Sequence, residues 1–67
     1  MYIVVEVQTD AEGHVSIPPV ASYETINEAE GAFHSVLAAA AVSSVPIHSA
    51  IVINEKAELI RSEHYEH

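Results

Sequence analysis

The side chains equipped to act as acids, bases or ligands are five histidines and ten carboxylates, with serines scattered among them and no cysteine. Glu30 and His34 stand four residues apart, one helical turn, so a helix through them sets a carboxylate against an imidazole as an acid/base dyad requires. That spacing is equally the spacing of a solvated surface pair of little energetic weight, and the second reading is the one adopted. Ser35 beside His34 points elsewhere on such a helix and makes no nucleophile arrangement. His64 and His67, interleaved with Glu63 and Glu66, have a metal-ligand spacing only on a helix. On a strand they point oppositely, no other motif closes a four-ligand site, and the chain end reads as mobile. His48 lies in a nearly apolar stretch and reads as a hydrogen-bonded core or interface histidine, and His14 as a loop residue. Gly13 and Gly31 stand alone, so neither common phosphate-cradling loop is present. The residues therefore predict no catalytic, cofactor or metal site, and a chain that is not an enzyme.

Glu30 and His34 would be carried by Thr25 to Ser44, the one segment whose apolar residues recur at helical spacing over several turns. Thr25 followed three residues later by Glu28 is a capping box, which marks the start. Val42, Ser43, Ser44 and then Pro46 mark the stop. Ile26, Ala29, Phe33, Val36, Leu37 and Ala40 form one apolar stripe, and Asn27, Glu28, Glu30, Gly31, His34 and Ser35 a polar face opposite. In the second half the outward positions are Ala38, Ala41, Val42 and Val45, so the helix turns apolar all round. One small sheet covers one side of one helix. The surplus predicts an interface at Ala38, Ala41, Val42 and Val45, facing a second copy or another protein, with Ala41→Glu expected to dissociate the assembly.

Strand patterning supplies the sheet. Residues 2–9 alternate, with Ile3, Val5 and Val7 on a dry side and Tyr2, Val4, Glu6 and Gln8 on a wetter one. Asp10 to Gly13 is a turn by composition, and 14–17 is a short edge strand or extended arm limited by Pro18 and Pro19. Val20 to Glu24 leads into the helix. Residues 47–54 place Ile47, Ser49, Ile51 and Ile53 on one face and His48, Ala50 and Val52 on the other, and 58–65 closes as the last strand. The two join in a hairpin with Asn54 suited to the left-handed position. The predicted fold is a single α+β domain over 1–67, β-(β)-α-β-β, with a three- to four-stranded antiparallel sheet in the order first, last, middle and the helix across one face. Tyr2, Tyr23, Phe33 and Tyr65 are expected at the core and its margin.

Composition bounds the partners. The chain has 67 residues, 49% of them hydrophobic, and a formal net charge of −8, with Lys56 and Arg61 its two cations. A domain this small buries only about 60% of its unfolded surface, so self-association would help it. Its charge is repelled by phosphate backbones and anionic membranes, which excludes direct nucleic-acid binding by the usual route and membrane attachment. No apolar run approaches the roughly 20 residues of a membrane span. Glu6 breaks the first apolar stretch, no basic residue precedes it, and cysteine is absent, so the expected location is cytoplasmic, in a host-cell interior.

The runs YIVVEVQTD, VSIPPVASYET and AFHSVLAAAAVSSVPIHSAIVINE cover nearly the whole chain. The chain resembles small uncharacterised proteins encoded in phages and prophages of gut Firmicutes, a family with no established activity to transfer. The resemblance implies a phage-encoded origin, and with it either antagonism of a host system or a minor part in virion assembly. Three functions follow. The favoured one is a non-enzymatic, acidic, homo-oligomeric protein-binding module, a phage accessory protein acting on a host or phage protein, with anti-defence inhibition as one such role. The others are a minor virion or tail assembly component, and a small-molecule sequestering protein with sites at subunit junctions.

Overall fold

The computed structural model describes every residue from Met1 to His67, in the order β1 (Tyr2–Thr9), β2 (Val15–Ser16), β3 (Ala21–Tyr23), α1 (Ile26–Ala41), β4 (Ile47–Asn54) and β5 (Leu59–Glu66). The expected α+β domain is present, one helix across one face of an antiparallel sheet. The sheet has one strand more than expected, because Ala21–Tyr23 pairs with Tyr2–Val4 rather than serving only as a connection. β2 pairs with Gln8 and Thr9, so β2 and β3 follow one another along the same side of β1. Between them, Pro18 and Pro19 remove two donors and hold the chain out of the ladder.

The strand order is β1-β4-β5, not first, last, middle. β1 and β4 pair along their full length, from Tyr2 opposite Asn54 to Thr9 opposite Ile47. The physical reason lies in β4, whose two faces are both nearly apolar and which therefore belongs in the middle of the sheet. β5, with Arg61, Glu63, His64 and Glu66, tolerates an edge.

α1 begins as expected, with Thr25 as cap: its hydroxyl oxygen accepts from Glu28 N–H at 3.2 Å, and the hydroxyl itself donates to the Glu28 carboxylate at 3.0 Å. It ends three residues before the expected Ser44. Val42 is the C-terminal cap, and the closing bonds run from Val42 N–H to Ala39 O and from Ser43 N–H to Ala40 O. Those are three-residue spacings, which tighten the last turn and stop α-helical propagation. Val45 consequently lies outside the helix.

Val4, Ala50 and Val52 from the sheet and Ala29 and Phe33 from the helix make the core, with Tyr2, Tyr23, Ala32, Val36 and Leu37 packed around it. The helix thus lies on the even-numbered side of β1, the wetter of its two faces. Small Ala29 and Ala50 let helix and sheet approach closely enough for Phe33 to be buried. Only seven of 67 residues are buried, so this core is small even for its chain length. Tyr65 is not part of it; its ring stacks on His67 at 6.4 Å. No helix is long and apolar enough to cross a membrane.

The β4–β5 turn differs from expectation in which residue is left-handed. Asn54 instead works through its side chain, whose Oδ1 accepts from Lys56 N–H at 2.9 Å and Glu58 N–H at 3.0 Å, while Ala57 takes φ 61°. A Cβ in that region costs about 1–2 kcal/mol, partly offset for glycine by its freer unfolded chain. Ala57→Gly is expected to stabilise the domain by about 0.5–1 kcal/mol, raising Tm by about 2–8 °C. Thermal unfolding followed by circular dichroism checks this, and an unchanged or lower Tm refutes it.

Candidate protein interface

Glu30 and His34 do meet, with Nε2 and Oε2 3.4 Å apart, but the other Glu30 oxygen accepts from Arg61 Nε on β5. Glu30 is thereby a strap between helix and sheet, its side chain 20% exposed. His64 and His67 do not converge: β5 is a strand, His64 faces Glu66, and His67 turns toward the helix. His67 Nε2 lies 2.9 Å from the Ala40 carbonyl oxygen, and His67 N–H donates to Pro46 O at 2.7 Å. The chain end expected to be mobile is tied to the C-terminus of α1, where a histidine partner suits the orphan carbonyls. Asp10, Glu12 and His14, which sequence spacing did not single out, gather in the β1–β2 loop. Asp10 Oδ1 accepts from Glu12 N–H at 2.9 Å and His14 N–H at 2.8 Å, so the gathering is the closure of an Asx-type turn around Gly13, at φ 85°. Glu55 in the β4–β5 turn has its carboxyl held below the usual range, first by a backbone hydrogen bond and then by the Met1 ammonium 3.1 Å away. That is a solvated turn, not a cleft with a poised acid or base.

Of the expected interface residues, Ala38, Ala41 and Val42 are exposed at the end of α1, Val42 86% so. Val45 is half-buried in the connection beyond the helix, where its N–H donates to Ser43 Oγ at 3.0 Å. It lines a cleft of about 460 Å³ together with Asp10, His14 and Pro46. The structure therefore brings three of the four together and separates the fourth.

A larger apolar surface lies on the other side of the sheet. Because the even positions of β1 and β4 face α1, the odd ones face away: Ile3, Val5 and Val7 stand opposite Ile53, Ile51 and Ser49, with Ile47 at the end of the row. These apolar side chains are half-buried by their neighbours on the sheet, and no element of the chain covers them. Strand alternation makes each of the two rows visible in the sequence, but alternation does not say which face the helix takes.

Residues of the helix-facing side do contain one polar group that needs a partner. His48 is 4% exposed, and its Nε2 bonds to the carboxylate of Glu6, which also accepts from Gln8 Nε2 at 3.1 Å. His48 Nδ1 has no protein partner. The expected hydrogen-bonded core histidine is thus present, and Glu6, from the wetter side of β1, is what satisfies it.

No protein-family model, curated protein or solved structure matches the chain. Truncating Glu6 to alanine strips His48 of its remaining partner inside the protein, which costs about 1–3 kcal/mol for a buried polar group. Replacing both, Glu6→Leu with His48→Leu, is expected to recover most of that loss. Urea unfolding of the two single variants and the double variant measures it. A Glu6→Ala loss below about 0.5 kcal/mol shows that the pair does not hold β1 and β4 together.

Proposed function

We propose that this chain is a non-enzymatic, acidic protein-binding module that self-associates, a phage-encoded accessory protein acting in the host-cell interior on a host or phage protein. The observation that carries the reading is the mismatch between a core cluster of five buried residues and the apolar surface left outside it, at the end of α1 and across the uncovered side of the sheet. Contiguous apolar surface of that kind marks contact with another protein. The net charge of −8 supports the rest: an acidic exterior repels nucleic acid and fits a basic docking site on a protein. The grouping of function around binding agrees with the roles the histidines and carboxylates take, as straps, caps and turn closures.

Light scattering of the purified chain across a concentration series, with native mass spectrometry of the same sample, tests self-association. The expected mass is at least twice the 7.2 kDa of one chain at micromolar concentration. A monomer throughout overturns the reading.

A further inference from the structure

We infer that the occupant of the uncovered sheet face is a second copy of this chain, the two sheets stacking face to face about a two-fold axis with both helices outside. This rests on the self-association proposed above and names the surface that performs it. The first argument is charge. Two chains of net charge −8 repel one another wherever their acidic sides meet. The charged side chains within the strands are Glu6, Arg61, Glu63 and Glu66; Glu6 and Arg61 point to the helix side, where they bond His48 and Glu30, and Glu63 shares their parity. Glu66, at the far corner of β5 opposite Ile47, is the one that falls on the uncovered side. Two identical acidic chains that come together there bring only Glu66, beside His64 at the corner, to the contact.

The second argument is area. The three eight-residue strands, about 27 Å long and about 4.8 Å apart, make about 390 Å², and the five residues of β2 and β3 beside β1 bring the face of each copy to about 470 Å² in projection. Two copies together come to about 940 Å², close to the floor of about 1,000 Å² for a specific interface. The end of α1 offers three small side chains, Ala38, Ala41 and Val42, short of the roughly 500 Å² per partner that this floor requires. The self-contact expected at the helix from sequence is thereby reassigned to the sheet, and the helix end stays outward, free for another protein.

The third argument is shape. β1 and β4 occupy the centre of the sheet, with Val5 directly opposite Ile51. A two-fold axis through that point sets the apolar rows of each copy against the same rows of its partner, the self-complementary contact that a closed dimer requires.

Val5→Glu places a carboxylate at the centre of the contact, next to its own symmetry mate. It is expected to weaken the dimer at least about 100-fold while the far-UV spectrum is retained, and Ala41→Glu is expected to leave the mass unchanged. The chain contains no cysteine, so Val5→Cys introduces a unique thiol that disturbs the fold little. Oxidation with a copper–phenanthroline catalyst is expected to join Val5→Cys chains, whose thiols meet at the axis, into disulfide-linked dimers and to leave Ala41→Cys chains unjoined. A native oligomer that Val5→Glu leaves intact, or that cross-links through Ala41→Cys and not through Val5→Cys, overturns the sheet-face contact and leaves the self-association standing. A native chain that is monomeric at every concentration overturns both.

Discussion

One helix of sixteen residues is about 24 Å long, close to the length of the eight-residue strands beneath it, and it covers one side of the sheet. That limit governs the rest of the molecule. The pairing of β1 with β4 joins the first strand to the strand that follows the helix, and the helix lies across the joint through Ala29 and Phe33. Alanines at the contact, Ala29 and Ala50, bring backbone close to backbone, which buries Val52 and Phe33 thoroughly with few side chains. The same economy leaves no element for the second side of the sheet. A protein of this size has too little chain to cover both sides of its sheet.

Charge is distributed around this arrangement by pairing carboxylates with imidazoles, since only Lys56 and Arg61 are available as cations. His14 lies beside Asp10, His34 beside Glu30, His48 beside Glu6 and His64 beside Glu66. The two carboxylates nearest the core, Glu6 and Glu30, have the most partners: His48 and Gln8 hold the first, His34 and Arg61 the second. Groups in partial burial need such partners, and the exposed pairs contribute little beyond solvation. A histidine-rich, acidic composition therefore serves architecture throughout the helix-facing side and the loops.

How much of this could be read from the sequence depended on how local each determinant is. The start of α1 was legible because Thr25 and Glu28 act on each other within one turn. The strands were legible because alternating β-branched residues declare their own period. The end of α1 was not, because Val42 and Ser43 tighten into three-residue bonds that only the completed turn defines. The strand order failed for a related reason: the central place of β4 follows from coverage on both faces, a property of neighbours rather than of the strand. Glu6 and His48 lie 42 positions apart, and nothing joins them until the register of β1 on β4 is set. Of the candidate interface, Ala38, Ala41 and Val42 were legible from helical periodicity. The open sheet face was hidden because both faces of β1 carry apolar residues, and the helix lies on the wetter one.

The two edges of the sheet are unlike each other, yet neither can be extended easily. Along the outer side of β1, β2 and β3 leave Val5 to Val7 without strand partners, and the chain passing that gap carries Pro18 and Pro19. At the opposite edge, β5 presents charged side chains along its length. Both are devices that keep a sheet from recruiting further strands in its own plane. In the dimer proposed above, contact through the remaining flat side uses that side up in both participants, and association stops at two. The half-buried apolar face of β1 and β4 is thereby flanked by edges that resist the open-ended, fibre-forming growth such a surface would otherwise invite.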